Sequence, residues 1–149
     1  MDLKPDACPL PLGGNDEQIK EMLGRPRVVA VIGMSPKPER PSNEVGLFLL
    51  QRGFTVIPVH PAAEEICGLK SYASLEDIPS GIEIDIVDLF ISGERTMAAV
   101  EQAAKIKAKV IWFQPGAEYP PSEEKARELG LEVVSGRCTK AEYQRLIGS

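Results

Sequence analysis

The apolar positions of this chain fall into short blocks that alternate between strand-like runs and helical spacing. Val28-Val29-Ala30-Val31-Ile32 is continuously apolar and largely β-branched, the pattern of a strand covered on both faces and therefore central in a parallel sheet. Val45, Phe48 and Leu49 follow at the i, i+3, i+4 spacing. They predict a helix over 43–52, capped by Ser42 and stopped by Gly53. A second strand is expected immediately afterwards, over 54–59.

The alternation then repeats. Ile84-Asp85-Ile86-Val87-Asp88-Leu89-Phe90 reads as a third strand, with Ser92 capping a helix that carries Met97, Val100 and Ala104 on one face. Val110-Ile111-Trp112-Phe113 is another buried strand, and 122–129 another helix, ending at Gly130. Leu131-Glu132-Val133-Val134 is the last strand, before a helix that begins at Thr139. Gly68-Leu69-Lys70-Ser71-Tyr72 reads as a connection, and Ser74-Leu75-Glu76-Asp77 as a capping-box turn cut short by Pro79. Ahead of the first strand, Asn15 caps a short helix with Ile19, Met22 and Leu23 on one face. Residues 1–14, with Pro5, Pro9, Pro11 and Gly13-Gly14, read as an irregular tail.

Five strands alternating with helices through short turns imply right-handed crossovers. The expected architecture is α/β: a Rossmann-like, doubly wound parallel sheet with helices on both faces, forming one domain over 15–149. In such sheets the ligand sits outside the carboxyl ends of the strands, where strand order reverses. The loops after Ile32, Val59, Phe90 and Phe113 are therefore the candidate site.

Composition narrows the ligand. The chain has 149 residues, 43% of them hydrophobic, enough for one ordinary core. A net charge of −5 argues against nucleic acid, whose binders carry a basic patch. No apolar run approaches the roughly 18 residues of a membrane span, and Asp2 and Asp6 stand where a signal peptide would be basic and then apolar, so a cytoplasmic location is expected. Cys8, Cys67 and Cys138 are odd in number and widely spaced. They read as reduced, mostly buried structural thiols, with neither a disulfide framework nor a zinc site.

The first ligand loop is Gly33-Met34-Ser35-Pro36-Lys37-Pro38-Glu39-Arg40-Pro41. A dinucleotide fingerprint starting at Gly33 would need glycine at positions held by Ser35 and Pro38, and the second strand ends in Pro58-Val59-His60-Pro61 instead of the carboxylate that grips the ribose of NAD. An NAD(P)-responsive regulator is therefore the weaker alternative. A helix N-terminus, the Ser35 hydroxyl and the cations Lys37 and Arg40 suit an anionic nucleotide with several phosphates.

These motifs, in this order, resemble the CoA-binding domain family, found as a stand-alone protein and as the N-terminal part of the succinyl-CoA synthetase α subunit and of ADP-forming acyl-CoA synthetases. The matching segments include Val29 to Ser35, Pro38-Glu39-Arg40-Pro41-Ser42, Val56-Ile57-Pro58-Val59-His60-Pro61, Asp85-Ile86-Val87-Asp88, Val110-Ile111-Trp112-Phe113-Gln114 and Arg137-Cys138. The resemblance implies that coenzyme A, free or acylated, lies across the strand ends. It implies phosphate contacts at Gly33, Ser35, Lys37, Arg40 and Ser42, with Met34 of the same loop among the cofactor-binding residues. It also implies adenosine contacts around Val59, His60 and Pro61, and contacts from the loop at Leu89 to Ser92, with Leu89, Phe90 and Ile91 as its binding residues. The chain departs from the family at His60, where Asn is common, at Lys107, where Gly often ends the helix, and at Pro115-Gly116-Ala117, where a Leu-Gly-Val type of segment is usual.

No catalytic constellation is visible. Related synthetases carry a phosphorylated histidine outside this domain, whereas the sole histidine here, His60, lies in a binding loop, and no Gly-x-Ser-x-Gly elbow exists. Asp88 lacks a second acid or base to work with and reads as a structural acceptor. Cys138, just before the last helix, is a buried thiol or, alternatively, a partner for a mixed disulfide with CoA. The expected function is a non-catalytic CoA or acyl-CoA binding protein, or else the CoA-binding subunit of a larger acyl-CoA ligase, with a protein partner left open.

Overall fold

Strands β1 (Val28–Ile32), β2 (Thr55–Val59), β5 (Ile86–Leu89), β6 (Val110–Phe113) and β7 (Glu132–Ser135) form one parallel sheet in the order β2-β1-β5-β6-β7. The structure, a computed structural model, describes residues 16–148; the predicted tail, Asn15 and Cys8 lie outside them. The sequence predicts each of these strands, within one or two residues at most ends. Order reverses between β1 and β5, since the chain leaves β1 toward one edge and returns to its other side for β5.

Both faces of the sheet are covered, which is why its strands are so uniformly apolar. On one face lie α1 (Asp16–Leu23), α2 (Pro41–Gln51) and α5 (Thr139–Leu146), packing Ile19, Leu23, Phe48 and Leu49 against Val29, Val31, Trp112 and Val134. On the other lie α3 (Arg95–Lys105) and α4 (Pro120–Glu128), packing Val100, Ala103 and Ala126 against Ala30, Val87, Ile111 and Phe113. Trp112 is fully buried, and its indole N–H donates to the Arg137 carbonyl at 2.6 Å. That bond ties the loop between β7 and α5 to the sheet.

Three helix starts differ from the sequence expectation. Ser42 is not the cap of α2: Arg40 is the N-cap and Pro41 the first helical residue, because proline's fixed φ suits that position and its missing N–H costs nothing there. Ser92 does not cap α3, whose N-cap is Glu94; Gly93, at φ +65°, cannot be helical. The buried face is consequently Thr96, Ala99, Val100 and Ala103, with Met97 and Ala104 only half-buried. Helix α4 starts at Pro120 instead of Ser122, and Glu123 in its first turn accepts the N–H of its N-cap Tyr119 at 2.9 Å. Helix α5 begins at Thr139, as the sequence predicts.

The predicted connection after β2 contains a small antiparallel hairpin, β3 (Glu65–Ile66) and β4 (Leu69–Lys70). Its two-residue turn is Cys67-Gly68, at φ +55° and +76°, the left-handed pair that a tight hairpin needs. Cys67 is thus exposed and not buried, although its sulfur accepts from the Asn43 amide at 3.2 Å. The turn Leu75–Asp77 is a single 3-10 turn, with Ser74 bonded to Asp77 at 3.2 Å.

Candidate functional site

The carboxyl ends of β1, β5 and β6 open into a cleft of about 920 Å³. It lies where strand order reverses, and four loops converge on it. From β1 come Gly33, Ser35, Lys37 and Arg40, with Ser42 and Val45 of α2; from β2, His60 and Ala62; from β5, Leu89 to Ser92; from β6, Gln114 to Ala117.

The β1 loop is held in shape by residues of α2. Gly33, at φ +85°, donates its N–H to the Val59 carbonyl at 2.8 Å. The N–H of Ser35 donates to the Ser42 hydroxyl at 2.9 Å, and the Asn43 amide donates to the Ser35 carbonyl at 2.8 Å. Ser42 and Asn43 are both buried, so these bonds fix the loop from beneath. The Ser35 hydroxyl accepts the Lys37 N–H at 3.1 Å. Lys37 and Arg40 are exposed at the rim, and neither has a carboxylate within ion-pair distance among the described residues. Two unpaired cations beside the start of a helix face the repulsive end of its dipole, an arrangement that an anion relieves.

His60 is half-buried, and its Nδ1 accepts the Ala62 N–H at 3.1 Å. The neutral ring therefore carries its proton on Nε2, which stays available as a donor. Of the twelve candidate residues, the structure brings Gly33, Ser35, Lys37, Arg40, Ser42, His60, Leu89, Phe90 and Ile91 to one cleft. Three lie elsewhere. Met34 is fully buried under α2, where a Cβ at Gly46 would come within 2.5 Å of its methyl carbon. Val59 is buried in the core, and Pro61 is exposed on a separate depression shared with Lys70 and Ser71. Val59 and Pro61 belong to the strand end and turn that present His60.

Gln114, the 115–117 segment and Ala62-Ala63 also line the cleft. They fall in the loops after Phe113 and Val59 that the sequence marks as the candidate site, without being singled out as contacts, and Cys138, considered there as a partner for a CoA disulfide, lines it too. The signal for Gln114 was its place directly after a buried strand. Cys138 is the N-cap of α5 and is half-buried. Beneath the floor, Gln114 Nε2 donates to Asp88 Oδ1 at 2.6 Å and to Thr139 Oγ1 at 2.9 Å, while Thr139 donates to Asp88 Oδ2 at 3.1 Å. Asp88 has no solvent exposure. Burial, against the pull of the two hydrogen bonds, pushes its carboxyl up to about 7. Among the described residues no group of three His, Cys, Asp or Glu side chains could hold a metal ion, and no helix is long and apolar enough to cross a membrane.

A doubly wound parallel sheet with a cleft at the strand-order reversal is the architecture of Rossmann-like domains. The sequence pattern of one such class, the CoA binding domain, matches residues 27–144. The chain belongs to the CoA binding domain family. It is 32% identical to the YneT protein of Bacillus subtilis over 126 residues, covering 85% of this chain and 92% of that one. It is 38% identical to the α subunit of an ADP-forming acetate–CoA ligase of Pyrococcus furiosus over 124 residues, covering 76% of this chain but 27% of that subunit. The chain spans 18–27% of the length of such ligase chains. A solved structure of a hypothetical protein from Pyrococcus horikoshii superposes with a TM-score of 0.89 at 44% identity, covering 97% of this chain and all of that one.

Proposed function

We propose that this chain binds CoA or an acyl-CoA in the cleft and performs no chemistry of its own. The observation that carries the reading is the pair of unpaired cations, Lys37 and Arg40, on the loop before α2, facing a cleft large enough for an extended ligand. Phosphates of the ligand would take charge-assisted hydrogen bonds from these side chains. His60 and Ala62 would border the adenosine, and the loop Leu89 to Ser92 and Gln114 would line the rest of the ligand's path.

The test is calorimetric titration with CoA, NAD and ATP in parallel, followed by the Lys37→Ala/Arg40→Ala double variant. CoA should bind far more tightly than NAD or ATP. The double variant should lose about 1.5 to 3 kcal/mol per charged hydrogen bond removed. Equal affinity in wild type and double variant would move the phosphate site elsewhere, and preference for NAD would overturn the reading.

The similarity to an acetate–CoA ligase α subunit favours a second reading, in which this chain supplies the CoA site of a larger ligase. A partner chain that co-purifies and confers acyl-CoA synthesis would support it. Isolation as a homomer that binds CoA unaided favours the first.

A further inference from the structure

Asp88 is the one carboxylate of the sheet interior that the binding scheme above does not use. It stands on β5 between Val31 of β1 and Trp112 of β6 in the same row of the sheet. No cation lies within ion-pair distance of it among the described residues. The charged groups of the helices on its face pair with one another: Glu44 of α2 with Lys140 of α5 at 2.8 Å, the buried Glu142 with Arg137 at 3.0 Å and Arg145 at 2.7 Å, and Arg145 with Asp16 of α1 at 2.7 Å. Glu17, Lys20 and Glu21 of α1 are exposed, and Cys138 adjoins Thr139 in the chain. Asp88 is left with two partners, the Gln114 amide and the Thr139 hydroxyl.

Both hydrogens of the Gln114 amide are spent on Asp88 and Thr139. Among the described residues nothing donates to its Oε1, and Gln114 lines the cleft. An ionised Asp88 can only accept hydrogen bonds, so it holds the amide nitrogen inward and leaves a carbonyl acceptor facing the ligand. A protonated Asp88 can instead donate to Oε1. The amide then turns over, and its N–H₂ group faces the cleft.

We propose that Asp88 is a positioning residue: its carboxyl group decides which end of the Gln114 amide faces the cleft, and so couples ligand binding to a proton. The proposal rests on the CoA reading above, because the pantetheine arm of that ligand carries two amide N–H groups that an acceptor at Gln114 would receive. Binding selects the ionised carboxylate and releases a proton.

The test is the affinity for CoA lacking its 3′-phosphate, which removes a phosphate that itself titrates, measured from pH 6 to pH 8. Wild type should bind about threefold to tenfold more tightly at the upper end, the worth of one hydrogen bond, and Asp88→Asn should lose that slope. In the ligand-free wild type, the side-chain N–H₂ resonances of Gln114 should shift as Asp88 titrates. A flat wild-type profile, an Asp88→Asn variant that keeps the slope, or Gln114 resonances that stay put would each overturn the proposal. No binding of intact CoA at pH 8 would overturn the CoA reading and this proposal with it; tight binding of the dephosphorylated ligand with a flat profile would remove only the proposal.

Discussion

The Nδ1 atom of His60 accepts the backbone N–H of Ala62 at 3.1 Å, so the imidazole closes the turn at the end of β2. An asparagine, the residue common here in the family, closes the same kind of turn through its side-chain oxygen, which accepts the N–H two residues on. The exchange of Asn for His is thus conservative toward the backbone while placing a ring and an Nε2–H donor at the cleft. His60→Asn should leave stability unchanged, and His60→Ala should cost up to about 1 kcal/mol, the net value of the hydrogen bond. Denaturant unfolding of both variants measures the difference, and equal stability of the two would show that the turn does not depend on this bond.

Gly33 is confined from two directions. Its φ of +85° disfavours any side chain, and a Cβ there would lie 3.1 Å from the Ile91 side chain and 3.4 Å from the Phe90 carbonyl group. The first and third ligand loops approach each other so closely only because this residue has no side chain. Gly33→Ala should destabilise the domain by about 2 kcal/mol, from backbone strain and the displaced loop together, and should weaken ligand binding in parallel. Thermal unfolding beside a titration checks both; full stability in Gly33→Ala would mean that the β1 loop tolerates another path.

Strand identities were legible because burial on both faces leaves so little choice of residue: Val28 to Ile32 and Val110 to Phe113 can hardly be anything else. Helix starts were less legible, since Ser42 and Ser92 have the chemistry of caps, whereas Pro41 and Gly93 impose backbone angles that settle the matter first. The β3–β4 hairpin escaped notice because its turn is Cys67-Gly68, and a cysteine at positive φ leaves no compositional mark. In the cleft, loop residues next to a glycine or a cation could be read from the chain. Gln114 could be placed in a candidate loop, but not the orientation of its amide, which depends on Asp88 and Thr139, 26 and 25 residues away from it.

Lys107 follows the end of α3 at φ +63°, an exposed residue in the left-handed conformation that usually closes a helix with glycine. A lysine there bears the clash between its Cβ and the neighbouring carbonyl, about 1 kcal/mol or somewhat more. Glycine would relieve it, with part of the gain lost to the greater freedom of the unfolded chain. Lys107→Gly should therefore stabilise the protein by about 0.5 to 1 kcal/mol, seen as a raised denaturation midpoint with an unchanged slope. A lower midpoint would mean that the lysine side chain has a compensating role at this corner.

Asp88 also makes stability depend on pH. Its carboxyl is raised from 3.8 to about 7 in the folded protein, chiefly by burial, so between those values the folded state holds a proton that the unfolded chain has released. Stability is then full below the unfolded value and falls as pH rises from about 4 through about 7. The slope follows from the native state binding more protons than the unfolded state. At roughly 1.4 kcal/mol for each pH unit of difference, the loss by pH 8 is on the order of 4 kcal/mol. Asp88→Asn keeps an acceptor for the Gln114 amide but has no charge to bury, so it should be more stable than wild type at pH 8 and close to it at pH 4. Urea unfolding of both proteins across this range decides the point. Parallel stability profiles would mean that Asp88 ionises in the folded protein no differently from the unfolded chain.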